Sequence, residues 1–235
     1  MRSRAGIYLF AKEPRPGRVK TRLCPPLTHE QAMLCHMAFV RDTIRRLSSF
    51  AGRCGATLVL ATTPSGETPW LESLADREGI EAVDQGGGHL GARMRRVLAL
   101  DAAGSSRRVV VGSDSPDLPL DLLELAFSTL AEKTVVLIPA QDGGYCLVGC
   151  SAEVPRIFDL RSGWGGGRVL AETIEMLEKH ETSYGLLPPW YDVDDHDSLR
   201  QLVRRIEGAE SGGEEGALMS TRAMVARLGE AGIVL

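Results

Sequence analysis

The feature that most constrains this chain is a unit that recurs along it: a short apolar run, a loop, then an amphipathic helix. Such alternation predicts a mostly parallel β-sheet covered by helices. Ile7-Tyr8-Leu9-Phe10-Ala11 reads as the first strand. The next helix opens at Thr28, with Gln31 three residues on as a capping box, and Met33, Met37, Val40, Ile44 and Leu47 form its apolar stripe. Further strands are expected at Thr57–Leu60, Ile80–Val83, Val109–Val111, Thr134–Ile138 and Tyr145–Val148. Helices are expected to begin at Thr68-Pro69, to run from Leu90 to Leu98 and from Leu120 to Leu130, and to follow Val169, Ser198 and Leu218.

With 235 residues, 43% hydrophobic and 25% charged, the chain can bury one substantial core. Its net charge of −4 argues against a nucleic acid as partner. No apolar run is long enough to cross a bilayer, and Gly6 to Ala11 is too short for a secretory core. Five scattered cysteines without a CxxC pair read as core packing in a reducing cytoplasm, which is the expected compartment. Gly208 to Gly216 is polar and Gly-rich. It predicts a domain over residues 1–207, followed by a flexible linker and C-terminal helix over 208–235 that either docks or exchanges with another chain as a homodimer.

Ligands of open α/β sheets lie beyond the carboxyl ends of the strands, so the loops there carry the chemistry. The loop Lys12 to Arg22 follows the first strand with five cations in eleven residues, a supply of charge suited to phosphate oxygens. It lacks the spaced glycines of a Walker loop. Val111-Gly112-Ser113-Asp114-Ser115-Pro116-Asp117 places two carboxylates after a central strand. Magnesium or manganese on a diphosphate needs only one or two such ligands, although Asp117 equally suits a helix cap. Asp142-Gly143-Gly144-Tyr145 offers a close backbone approach and a carboxylate for an acceptor hydroxyl, or else an ordinary Asp-Gly turn. Asp192-Val193-Asp194-Asp195-His196-Asp197 holds four carboxylates in six residues. Alternation puts Asp192 and Asp194 on one face, where one of them completes a metal site begun by Asp114. The Gly-rich run Gln85 to Arg93 can close over a nucleotide or simply connect two elements.

Taken in order, Phe10-Ala11-Lys12 through Lys20-Thr21-Arg22-Leu23, Gly112-Ser113-Asp114-Ser115-Pro116-Asp117-Leu118, Asp142-Gly143-Gly144-Tyr145 and Asp192-Val193-Asp194 resemble a bacterial family of GT-A-fold glycosyltransferases of unknown substrate. That family lies within the nucleotide-diphospho-sugar transferase superfamily and is similar to phospholactate guanylyltransferases. The resemblance spans about 200 residues, the size of one such domain. It implies a three-layer α/β/α fold and a Mg2+ or Mn2+ ion on Asp114, Asp117 and Asp194. It also implies a nucleotide held by Lys12, Arg18, Lys20, Thr21, Arg22, Gln85, Gly88 and Arg93, and an acceptor beside Gly143, Gly144 and Tyr145. Asp114, Asp142 and Lys20 would then be catalytic.

The chain departs from the pattern in three places. Gly17 stands alone where pyrophosphorylases carry Gly-x-Gly-Thr-Arg, His89 stands where an acid is usual, and Asp195-His196 replaces a Thr-Pro. The expected activity is transfer from a nucleotide-sugar or nucleoside triphosphate to a small-molecule acceptor. Glycosyl transfer leads, nucleotidyl transfer to a phosphorylated acceptor is the alternative, and a non-catalytic nucleotide binder is the competing class.

Overall fold

The computed structural model describes residues 4–64, 66–100, 105–151, 153–208 and 218–233. Their elements run β1 (Arg4–Lys12), α1 (His29–Cys54), β2 (Ala56–Thr63), α2 (Pro69–Glu78), β3 (Glu81–Asp84), α3 (Leu90–Ala99), β4 (Ser105–Gly112) and α4 (Leu120–Thr129). There follow β5 (Val135–Pro139), β6 (Tyr145–Ser151), α5 (Val169–Lys179), β7 (Tyr184–Leu186), α6 (His196–Gly208) and α7 (Met219–Glu230).

The strands form one sheet in the order β3-β2-β1-β4-β6-β5-β7. All pairings are parallel except those of β6, which runs antiparallel to both β4 and β5. Alternate strand residues feed the two faces, as the period-2 geometry of a strand requires. Ile7, Leu9, Leu58, Leu60, Val109 and Val111 meet α1, α2 and α4 on one side. Tyr8, Val59, Ala61, Val110 and Val148 meet α3, α5 and the buried Phe158 on the other. The fold is therefore the expected three-layer α/β/α arrangement with a mostly parallel mixed sheet. The cysteines are free, and Cys35, Cys146 and Cys150 are packed in the interior.

α1 begins as its sequence dictates. Thr28 Oγ1 accepts from Gln31 N at 3.2 Å and Gln31 Oε1 from Thr28 N at 2.8 Å, a reciprocal cap worth about 1 kcal/mol. Its buried surface is wider than the expected stripe. Met33 and Met37 are only half-buried, whereas Ala32, Cys35, His36 and Phe39 are buried. The cause is a third apolar cluster in which the first half of α1 packs against α6 and α7 through Leu199, Leu202, Met224 and Leu228. α7 thus docks on its own chain. Asp42, in the middle of α1, accepts from Ser220 N at 3.0 Å and Thr221 N at 2.7 Å at the start of α7. Of the expected linker, residues 209–216 lie outside the described residues, while Gly208 ends α6. β7 is an addition to the expected set. With three residues, none of them buried, it is too short to show alternation.

Candidate active site

Because β6 alone runs against the other strands, the carboxyl ends of β1, β2, β3, β4, β5 and β7 emerge along one edge of the sheet. The loop after β4 is held there by backbone and by one buried cation. Ser113 N donates to Phe10 O of β1 at 3.2 Å. Arg46 of α1 donates to Pro116 O at 2.6 Å and to Leu118 O at 3.0 Å, so a charge-assisted fork fixes the turn that carries Asp114. The chain leaving β7 is pinned in turn: Trp190 N donates to Pro139 O at 2.9 Å, and Val193 N to Asp114 O at 2.8 Å. Tyr191 and Val193 point inward and are buried, which leaves the alternate residues Asp192 and Asp194 on the site side.

Lys20 joins these loops. Its backbone is left-handed (φ 48°, ψ 37°), an uncommon conformation for a side-chain-bearing residue, and it lies between the buried anchors Val19 and Leu23. Its ammonium is 2.5 Å from Asp114 Oδ1 and 3.0 Å from Asp194 Oδ1, and 5.9 Å from the Phe39 ring centroid. Two carboxylates 80 residues apart in sequence thus share one cation. Burial works against the charged amine, but Asp114 and Asp194 outweigh it and raise the Lys20 pKa. Desolvation opposes ionisation of Asp114, and Lys20 followed by His36 reverses this and holds its carboxyl below the ordinary range. Asp192, which accepts from Ser115 Oγ at 2.5 Å, is pushed up to about 6 by burial and by the neighbouring Asp114. Negative charge at this edge therefore exceeds what Lys20 neutralises.

Two cavities flank the cluster. One, of about 240 Å3, is lined by Lys12, Arg18, Lys20, Thr21, Arg22 and His36 together with Asp114 and Asp194. The other, of about 330 Å3, is lined by Asp142, Asp192, Asp194, Asp195 and Asp197 with Gln141, Gln201 and Ser198. Arg22 and Asp194 belong to both. The cationic loop and the acidic segments thus border two adjoining cavities that share Arg22 and Asp194.

Other expected site residues are placed elsewhere or are occupied. Asp117 is no ligand of this cluster. Its Oδ2 accepts from Tyr191 Oη at 2.6 Å and Arg205 Nε at 2.8 Å, and its Oδ1 from Trp190 Nε1 at 3.4 Å, so it anchors the chain after β7. Gln85 is buried, and its Nε2 donates to Ala61 O at 2.8 Å and to Ala11 O at 3.4 Å while its Oε1 accepts from Arg93. Both side chains tie strand ends together. Gly88 (φ 98°) serves the turn into α3, whose N-cap is His89, accepting from Ala92 N at 3.2 Å. A Cβ on Gly143 would meet Gly167 O at 2.3 Å, and Tyr145 packs edge-on against Trp164 within the core behind the sheet. These two residues meet the segment before α5, not the acidic cavity. Asp142 does line that cavity, with Oδ1 held by Gly144 N at 2.9 Å.

Three buried polar residues are absent from the sequence-derived set. Arg46 is described above. Glu13 accepts from Trp70 N and Leu71 N, an anion at the N-terminus of α2. His36 bonds Lys12 O through Nε2 at 2.8 Å, and its buried Nδ1 has no partner. A buried histidine in an apolar helix stripe is the only sequence trace any of them leaves.

Asp114 and Asp194 are the side chains here that could donate oxygens to a cation. Their carboxylates converge on Lys20, and burial, with Asp114 second, lifts the neighbouring Asp192. Among the described residues no group of three or more His, Cys, Asp or Glu side chains is placed to hold a metal ion. Asp114 and Asp194 offer two carboxylates, and magnesium commonly takes only one or two from a protein beside substrate phosphate and water.

The fold recurs in known proteins. A crystal structure from Desulfovibrio desulfuricans G20, provisionally named a nucleotide-diphospho-sugar transferase, is 28% identical over 95% of this chain and 97% of its own, with a TM-score of 0.76. A Leptospira borgpetersenii cytidylyltransferase (12% identity, 97% and 95% coverage, TM-score 0.56) and a Methanothermobacter nucleotidyl transferase (13%, 87% and 98%, TM-score 0.58) share the fold. No curated protein matches the chain in sequence. Residues 46–165, a little over half of the chain and including Asp114, Asp142 and Arg46, match the family described as "Uncharacterized protein conserved in bacteria". The chain is a member of that bacterial family, DUF2064.

Proposed function

We propose that this protein is a metal-dependent transferase that takes a nucleotide-activated donor and transfers a glycosyl group to a hydroxyl of a small acceptor. The observation that carries this reading is the convergence of Asp114 and Asp194 on one cation, between a basic and an acidic cavity. Asp114 and Asp194 would hold Mg2+ or Mn2+, with Asp192 as the adjacent acidic side chain. When bound, the ion supplies Lewis-acid neutralisation of charge on the leaving diphosphate. Lys12, Arg18 and Arg22 bind the donor's phosphate oxygens, with their positive charge preorganised where negative charge develops. Asp142, oriented by Gly144 N, accepts the acceptor's hydroxyl proton as that oxygen bonds to the sugar carbon and the carbon–phosphate-oxygen bond breaks. The similarity to the Desulfovibrio protein supports the donor class.

The charge of the second cavity favours glycosyl over nucleotidyl transfer. A phosphorylated acceptor would have to sit among Asp142, Asp192, Asp194, Asp195 and Asp197 with Arg22 as the one cation in the lining, and like charges at such range repel. A neutral polyol meets hydrogen-bond acceptors and two amides instead.

A thermal-shift panel of nucleoside diphosphates, triphosphates and nucleotide-sugars, with and without manganese, tests the reading. At least one nucleotide-sugar is expected to stabilise the wild type only with metal, and Asp114→Asn to lose that stabilisation. Turnover should release nucleoside diphosphate. Pyrophosphate as product would establish nucleotidyl transfer, and a panel in which nothing stabilises the protein would overturn the proposal.

A further inference from the structure

We infer that Lys20 is a buried counter-ion beneath the two carboxylates, one that keeps the affinity for a free divalent cation low so that metal and donor enter together; this deepens the reading given under Proposed function and rests on it. The side chain of Lys20 is 4% exposed, while those of Asp114 and Asp194 are 44% and 40% exposed. The ammonium therefore lies on the protein side of the carboxylates, and their open side faces the groove. Each carboxylate gives its Oδ1 to the amine, which leaves its Oδ2 for a ligand arriving from solvent. The Phe39 ring lies 5.9 Å from the amine, and the chain neighbours Val19 and Leu23 are buried.

Three consequences follow from that placement. First, Lys20 is not a donor-phosphate ligand in this arrangement, because its ammonium is already bound by two carboxylates. Lys12, Arg18 and Arg22 keep that task. Secondly, one shared positive charge cancels half of the charge of Asp114 and Asp194, and it repels a divalent cation bound to their outer oxygens. At an effective dielectric near 20, a charge pair a few ångströms apart interacts by a few kcal/mol, so a fixed amine beneath the site lowers metal affinity by at least about tenfold. Thirdly, a donor diphosphate adds negative oxygens on the open side and restores the balance. Metal binding is thereby made conditional on the nucleotide, the sign of coupling expected when each ligand supplies what the other lacks. Lys20 also orients the two carboxylates, since Asp114 follows β4, Asp194 follows β7, and their side chains meet at its ammonium. It is a positioning residue.

The experiment is Mn2+ titration, followed by the electron paramagnetic resonance of free ion, with and without the nucleotide-sugar or nucleoside diphosphate that stabilises the wild type. Lys20→Met removes the charge, and Lys20→Gln removes it while keeping an amide donor for the carboxylates. The wild type is expected to bind Mn2+ weakly alone and much more tightly with nucleotide. Lys20→Gln is expected to bind Mn2+ alone at least about tenfold more tightly than the wild type and to lose most of the nucleotide's enhancement. Lys20→Met, if it folds, should do the same. Metal-alone affinity that is unchanged or weaker in Lys20→Gln, with wild-type metal–nucleotide binding intact, overturns the inference and leaves the transferase reading standing. Absence of Mn2+ binding by the wild type with every nucleotide overturns the transferase reading itself.

Discussion

Asp114 and Asp117 are three residues apart in one turn and face different chemistry. Asp114 offers a half-exposed carboxylate to the groove and shares Lys20 with Asp194. Asp117 is buried, and its oxygens are taken by Tyr191, Trp190 and Arg205. Asp117→Ala leaves the Tyr191 hydroxyl buried without its acceptor and removes the partner of Arg205. Orphaning such a group costs about 1–3 kcal/mol, so urea unfolding should shift by that amount while metal-dependent nucleotide stabilisation persists in the folded protein. Asp114→Asn should do the reverse, with modest change in unfolding and loss of nucleotide stabilisation. If Asp117→Ala abolished nucleotide response at full stability, the division between the two residues would be wrong.

At the scale of elements, α1 determines much of the site while contributing one side chain to its lining. His36 reaches Lys12 O, Arg46 holds the loop after β4, and Asp42 caps α7. Asp42→Ala removes both cap acceptors at once. Loss of a cap costs about 0.5–2 kcal/mol, and hydrogen exchange should then show α7 amides opening faster while the core strands keep their protection. Unchanged protection in α7 would mean that Met224 and Leu228 alone hold the helix.

The same helix shows what a sequence can reveal. Its capping box was legible because Thr28 and Gln31 are three residues apart and every atom involved is local. Asp42 and Arg46 were not, because their partners lie 178 and 70 residues away, and a polar residue within an apolar stripe does not say what it meets. The convergence of Asp114 with the acidic segment was legible from strand-end position. The roles of Gly143 and Tyr145 were not, because they depend on Gly167 and Trp164, from a segment with no periodic pattern.

Across the whole molecule, the two cavities of opposite charge turn the sheet edge into a dipolar groove within a chain of net charge −4. If the proposed donor binds here, local arrangement rather than net charge decides it, since the chain as a whole is negative and the loop after β1 is positive. Inorganic pyrophosphate with manganese isolates this effect, because it offers the donor's charge without base or sugar. It should perturb amide resonances of residues 12–22 and leave 141–144 largely unshifted. Arg18→Ala should weaken it without altering stability, since among the described residues the Arg18 side chain has no hydrogen bond or ion pair, and its carbonyl, which survives the substitution, still receives Lys12. Screening sets the salt dependence: the Debye length falls from about 10 Å at 0.1 M to about 3 Å at 1 M. Affinity for pyrophosphate should therefore drop steeply with added salt, whereas a neutral polyol in the acidic cavity should bind almost independently of it. Equal salt sensitivity of both ligands, or pyrophosphate shifts centred on 141–144, would place the donor in the acidic cavity instead of the basic one.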